Sequence, residues 1–174
     1  IDAGNDLLKS QLPNGVFFNS HFEVNTSLGR GSTPHDTAAA LGLVYLAKAL
    51  KEQGGEWKPY LEAAKKNVDL YHIGRLYDPS TKLFFQYIYD PQHLHVPYKI
   101  ATLLQLLIAM AEITDDKSYL DYIQPNADYI LALQDNHDMP GGVYQTEKRD
   151  RIITFYTARC IPALLEVYNI TKKK

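Results

Sequence analysis

Three polar stretches in this chain collect the side chains that could move protons or grip hydroxylated and anionic ligands. The first carries His21, Glu23, Arg30, His35 and Asp36. The second carries Tyr87, Tyr89, Asp90, His93 and His95, and the third Tyr144, Glu147, Arg149, Asp150 and Arg151. Carboxylates in such a set suit the breaking of a glycosidic bond: one acid protonates the leaving oxygen while another activates water or attacks, and their separation sets the stereochemistry. Asp36, Glu147 and Asp150 are the candidates. Each also has a plain structural explanation. Asp36 falls in what reads as the first turn of a helix, where an acid gains about 0.3–1 kcal/mol from the helix dipole alone. Glu147 and Asp150 belong to the charged run EKRDR, which a solvated loop with local ion pairs accounts for.

His93 and His95 form an H-x-H pair, but no third ligand stands at a recognisable spacing, so neither a metal nor any other cofactor is expected. The pair fits acid–base work or a hydrogen-bonding clamp, and equally two loop histidines doing neither. Arg30 and Arg149, with Arg151, suit a carboxylated ligand gripped through two parallel hydrogen bonds; the bland reading is surface charge. His35, Tyr87, Tyr89 and Tyr144 complete the candidate ligand-binding set, the tyrosines because a ring face stacks on the apolar face of a sugar. Phe17, Phe18, Phe84 and Phe85 read as core, and Cys160, on an apolar helix, as a buried structural thiol.

What positions these stretches is an internal repeat. The run from Tyr119 to Gln145 is helical, then turns at glycine, then ends in a short extended tail, and the run from Tyr60 repeats this order. Tyr60 aligns with Tyr119, Asn67 with Asn126 and Asp69 with Asp128; a shortened copy, DLLKSQLPNGVFF, opens the chain. A period of about sixty residues marks an array of helical hairpins. Thr33-Pro34-His35-Asp36 and Pro97 open two inner helices that are apolar nearly all round, and a third runs through TFYTARCIPALLEVYN. One-sided outer helices follow from Trp57 and from Ser118, the second expected to kink at Pro125. Alignment of the inner helices sets Ala38, Ala101 and Ala158 at one level, and Leu41, Leu104 and Ile161 at the next. The tails Val16-Phe17, Leu83-Phe84 and Val143-Tyr144 are matched in that order. In such an array all loops that precede inner helices emerge at one end, so the three polar stretches should share a mouth. The loops at the other end, around Gly54-Gly55 and Thr114-Asp115, are short. Asp115-Asp116 looks like the start of an acidic diphosphate-metal motif but lies at that bland end and caps a helix.

Composition removes several classes. At 174 residues, one domain with a sizeable core is expected over residues 1–174. A net charge of -2 without a basic block argues against nucleic acid, and no apolar run is long enough to span a bilayer, which predicts a soluble chain whose compartment stays open, cytoplasmic or secreted. The first residue is Ile1, consistent with processing or with a piece of something longer, and two sequons, at Asn25 and Asn169, are loose signals. With 13 tyrosines the chain is rich in the ring type that a sugar cleft needs.

The residues AEITDDKSYLDYIQPNADYILALQ followed by GGVYQ, with TARCIPALLEVYNIT, resemble the repeating unit of the six-hairpin glycosidase-like alpha/alpha toroids. The resemblance implies an all-α partial toroid with short extended segments in the loops at one end. It also implies a site at the inner-helix ends and a carbohydrate-active role, as a glycoside hydrolase or polysaccharide lyase acting on an oligosaccharide. The phrase LALQ with GGVY also resembles the repeat of terpene cyclases and prenyltransferases, but their acidic motif and zinc ligands are missing. A noncatalytic scaffold binding a glycan or protein is the main alternative, an isoprenoid-handling toroid the weaker one. The chain holds about two and a half to three hairpins, so a homodimer or a larger parent chain is expected to cover the terminal flanks.

Overall fold

The computed structural model describes residues 1–17, 33–86 and 94–172, and in the helix that begins at Thr33 it describes side chains from residue 36 onward. The order is α1 (Asp2–Ser10), α2 (Thr33–Glu52), α3 (Lys58–Lys66) running on into a π-helical segment (Asn67–Leu76), then a two-residue hairpin of β1 (Tyr77–Asp78) and β2 (Leu83–Phe84). After it come α4 (Pro97–Thr114), a 3-10 segment (Lys117–Tyr122) continuing as α5 (Ile123–Ala132), and α6 (Thr154–Thr171). The fold is all-α, as the repeat predicts. Helices α2, α4 and α6 form the inner layer, α4 packing against both others, while α3 and α5 lie outside.

The inner helices run in the same direction. Lys48 of α2 meets Glu112 of α4 at 3.8 Å, each fifteen residues into its helix, and at the other end Tyr98 of α4 stacks on Tyr156 of α6 with centroids 3.8 Å apart. Helix α4 has no wet face through its middle: Ile100, Ala101, Leu103, Leu104, Leu106, Leu107, Ile108 and Met110 are all buried. Its flanking neighbours do keep one. On α2, Ala38, Gly42 and Tyr45 are exposed, so the sealing expected of every inner helix holds only where a helix has inner neighbours on both sides.

The repeat is closed at each turn by an antiparallel bridge: Gln11 with Phe17, Tyr77 with Phe84, and Gln134 with Val143. Two residues before each bridge stands a left-handed residue, Gly15 (φ 89), Lys82 (φ 60) and Gly141 (φ 88). The counterpart of Phe84 in the third unit is therefore Val143, not Tyr144. Phe17, Phe84 and Val143 are buried, and Tyr144, on the opposite side of the extended segment, is only half-buried, packed against the edge of the core.

Two asparagines lock the units together. Asn67 Nδ2 donates to the carbonyl of Gly15 at 2.9 Å and Asn126 Nδ2 to that of Lys82 at 3.0 Å, each reaching the turn of the preceding unit. Asn126 also donates to Tyr122 O at 2.8 Å. Asn126→Leu strips both carbonyls of a donor in a buried place and should cost about 1–3 kcal/mol of stability, read from the urea midpoint.

The outer helices depart from the regular winding that periodicity suggests. From Asn67 the first widens, and its buried residues, Asn67, Val68, Tyr71, His72 and Leu76, recur every four to five positions, the longer period of i→i+5 bonding. In the second, the break falls before Pro125 and not at it. Proline crowds the preceding turn and lacks an amide hydrogen, so Lys117–Tyr122 winds as 3-10 helix and Pro125 sits in the first turn of α5, where amides lack intrahelical partners in any case. Asp116 caps this helix as expected, its Oδ1 accepting from Ser118 N at 3.0 Å.

Cys160 is buried on α6, and burial pushes its thiol up to about 12. It should resist a thiol reagent at neutral pH until the protein unfolds, a contrast read by labelling with and without denaturant.

Candidate functional site

The inner-helix N-termini define the loop-rich end, and the second and third polar stretches meet there. Val96 is held extended (φ -122, ψ 109) by Pro97, which disfavours helical geometry in the residue before it. His95 is thereby set against the outer layer, its ring stacked on Phe85 at 5.0 Å and edge-on to Tyr129 of α5 at 5.7 Å. Tyr129 donates its hydroxyl to the His95 carbonyl at 3.0 Å.

Glu147 arrives from the third stretch. The loop carrying it is pinned at its base by the Tyr144–Ile152 bridge and by Gln145 N donating to Arg151 O at 2.8 Å; its tip turns on Arg149 N to Thr146 O at 3.1 Å. Glu147 Oε1 lies 3.0 Å from His95 Nδ1, a contact spanning 52 residues of sequence. The histidine side chain is 11% exposed and the glutamate 41%, so the carboxylate can be reached from solvent while the imidazole is walled in behind it. Burial works against the charge on Glu147, but hydrogen bonds from Tyr129, from its own backbone N–H and from His95 outweigh it and hold the carboxyl below the usual glutamate range. Burial, and after it the Glu147 carboxylate, push the Tyr129 phenol up, so this hydroxyl stays a donor.

The other candidates are distributed as follows. Asp36 is fully buried, and its Oδ1 accepts from Phe17 N at 2.7 Å, so it ties the first turn to the start of α2. Beside it Thr37 Oγ1 lies 3.4 Å from His72 Nε2, and complete burial lowers the His72 pKa to about 3, leaving a neutral ring. Asp150 is exposed at the end of the 145–151 loop. Arg149 takes the left-handed φ of 50, donates from Nη2 to Ala132 O at 2.7 Å and lies over the Tyr144 ring at 5.7 Å, so its charge closes the end of α5. Tyr144 is half-buried beneath it. Arg30, Tyr87, Tyr89 and His93 lie outside the described residues, as do His21 and Glu23, and of His35 only its place in the first turn of α2 is described.

Of the three candidate carboxylates, Glu147 thus stands with an acid–base partner at the rim and Asp36 lies below it. Sequence reading missed Tyr129 and Phe85 as members of this group. A signal for Tyr129 existed: fifty-nine residues earlier, at the same place in the repeat, stands the exposed Leu70. The stacked Tyr98–Tyr156 pair, and Lys99 Nζ donating to Gln86 Oε1 at 2.9 Å, add an aromatic and polar wall at the same end.

No protein-family model matches the chain, and no curated protein matches it. Solved structures do. A GH76 α-mannanase from Bacteroides thetaiotaomicron superposes with a TM-score of 0.63 at 16% identity, covering 83% of this chain and 37% of the mannanase. A cellobiose 2-epimerase from Spirochaeta thermophila gives a TM-score of 0.68 at 20% identity, covering 96% of this chain and 45% of the epimerase. The chain spans less than half the length of either. What it shares with them is the fold, part of an α/α toroid of helical hairpins.

Proposed function

We propose that the loop-rich end handles an oligosaccharide, with Glu147 as the general base and His95 and Tyr129 as the groups that orient it and tune its charge. The observation that carries this reading is the cluster itself. A solvent-reachable carboxylate is held ionised between an imidazole and a phenol, on two connections that only the stacking of hairpins brings together. A carboxyl depressed in this way is suited to taking a proton, from water in a hydrolase or from a sugar carbon in a lyase; the acid of the pair needs a raised pKa and has to be another group. The stacked Tyr98–Tyr156 pair at the same end, and Tyr144 below Arg149, add aromatic surface there. That a mannanase and an epimerase share the fold supports a carbohydrate as the ligand, though fold alone assigns no chemistry.

The test is turnover of a panel of neutral and uronate-containing oligosaccharides by the protein and by Glu147→Gln. Cleavage by the parent and none by the folded variant is the expected result. A noncatalytic glycan-binding scaffold is the second reading, favoured by Arg149 being engaged at Ala132 and Asp36 at Phe17. It predicts binding without turnover in both proteins, and neither binding nor turnover by the parent sinks both readings.

A further inference from the structure

Between Ile100 and Glu112, α4 meets solvent along one narrow line: the half-buried Gln105 and Ala109 and the exposed Glu112. On the α6 side this line borders a groove of about 250 Å³, walled by Glu166 and Asn169 of α6 and by Tyr45 of α2. On the α2 side it borders a second groove, of about 310 Å³, with Lys48, Lys51 and Glu52 in its wall. Tyr45 and Ala109 belong to both, so the tyrosine ring extends past the small alanine side chain from one groove to the other. Ala109 stands about 18 Å along α4 from Pro97, well away from the His95–Glu147 group.

The two grooves differ in charge. Among the described residues no lysine or arginine lines the α4–α6 groove, whereas Glu112 and Glu166 both do. The lysines of the other groove are drawn elsewhere: Lys51 lies over the Trp57 ring at 4.8 Å, and Lys48 stands 3.8 Å from Glu112, beyond hydrogen-bonding reach. Glu166 accepts from a neutral donor, Gln105 Nε2, at 2.9 Å. Glu112 sits in the last turn of α4, and neither α4 nor α6 has a basic residue in its last turn, so both carboxylates stand near the negative end of a helix dipole. Lys172, which ends α6, lies over the Tyr168 ring. Burial, and after it Glu166 and Glu112, push the Tyr45 phenol up, so its hydroxyl stays a donor. Acidic groups gathered at the unfavourable end of two helices break a local rule, and a ligand that brings positive charge and donors offsets that cost.

We propose that the α4–α6 groove binds a small organic diammonium, two protonated amines joined by a short carbon chain. One ammonium sits between Glu166 and the Asn169 side-chain oxygen and the other at Glu112, while the chain between them lies on Tyr45, Ala109 and Ile170. The two positive charges match the two carboxylates, and an ammonium beside the Tyr45 ring gains further from its negative face. A metal ion is the poorer occupant, because a small hard cation takes oxygen ligands and has no use for a ring and aliphatic carbon. A neutral hydroxylated ligand leaves both carboxylates unpaired.

The test titrates 1,4-diaminobutane into the 174-residue protein by calorimetry at about 0.15 M salt, where loose attraction between exposed charges is largely screened. One equivalent should bind, roughly tenfold or more tightly than its neutral isostere 1,4-butanediol. Glu112→Gln and Glu166→Gln should each weaken the diamine by roughly tenfold, and Tyr45→Leu by a few-fold. Far-UV circular dichroism checks that each variant is folded, and the exposed Glu112 carries the test if Glu166→Gln is not. Lack of saturable binding by the parent overturns the proposal, as does equal binding of the diol, or diamine binding that a folded glutamine variant leaves unchanged. Calcium bound as tightly as the diamine overturns it too, by giving the carboxylates to a metal. Glu147→Gln should leave diamine affinity unaltered, so this result stands or falls apart from the oligosaccharide reading.

Discussion

Glu147→Gln should lower oligosaccharide turnover by about 10²–10⁴-fold, the usual worth of a positioned general base, with ligand binding changed far less. The amide keeps the shape and can still meet His95 and Tyr129, but cannot take a proton. Tyr129→Phe is the informative companion. It removes a donor that helps hold the carboxyl below the usual glutamate range, so the Glu147 pKa should rise and the acid limb of the rate profile should move to higher pH. Asp150→Asn, on an exposed position of the same loop, is expected to leave turnover within about twofold of the parent. If Asp150→Asn abolishes turnover and Glu147→Gln does not, the base has been misassigned.

The second large effect is acid instability centred on His72. The folded protein holds this ring neutral to about pH 3, whereas in the unfolded chain it protonates near its ordinary 6.5. Between those values the unfolded state binds the extra proton, so the contribution to stability is complete above pH 6.5 and drains as pH falls toward 3, at about 1.4 kcal/mol per pH unit. Summed over the window this is about 4–5 kcal/mol, a large share of the roughly 5–15 kcal/mol that keeps a domain folded. His72→Gln, which can still face Thr37, should flatten the decline. Urea midpoints at pH 7, 6, 5 and 4 decide it: parallel decline in parent and variant places the acid-sensitive group elsewhere.

Much of the architecture was legible as pattern. Tyr60 and Tyr119, Asn67 and Asn126, and the glycine turns announce a unit whose helices must alternate inside and outside, because a fully apolar helix such as α4 can only be sandwiched. The pattern also placed the polar stretches before inner helices, and the His95–Glu147 contact bears out their convergence for the second and third. The reading erred where a local rule was extended past its reach. Matching tails by residue type put Tyr144 under Phe84, whereas backbone pairing puts Val143 there. The widened winding from Asn67 carries no mark in apolar spacing that separates it from ordinary helix.

By itself the sequence determined which segments are helices, their order and the end at which the polar loops emerge, since period, capping and chirality act over a few residues or recur at fixed intervals. Only the tertiary structure decided that Glu147, and not Asp150 three residues away, faces an imidazole, that Asp36 is sealed beneath the rim, and that Tyr129 belongs to the group. Those outcomes depend on how far one hairpin slides and rotates on the next. Burial of side chains distant in sequence sets that packing, and no single stretch of residues encodes it.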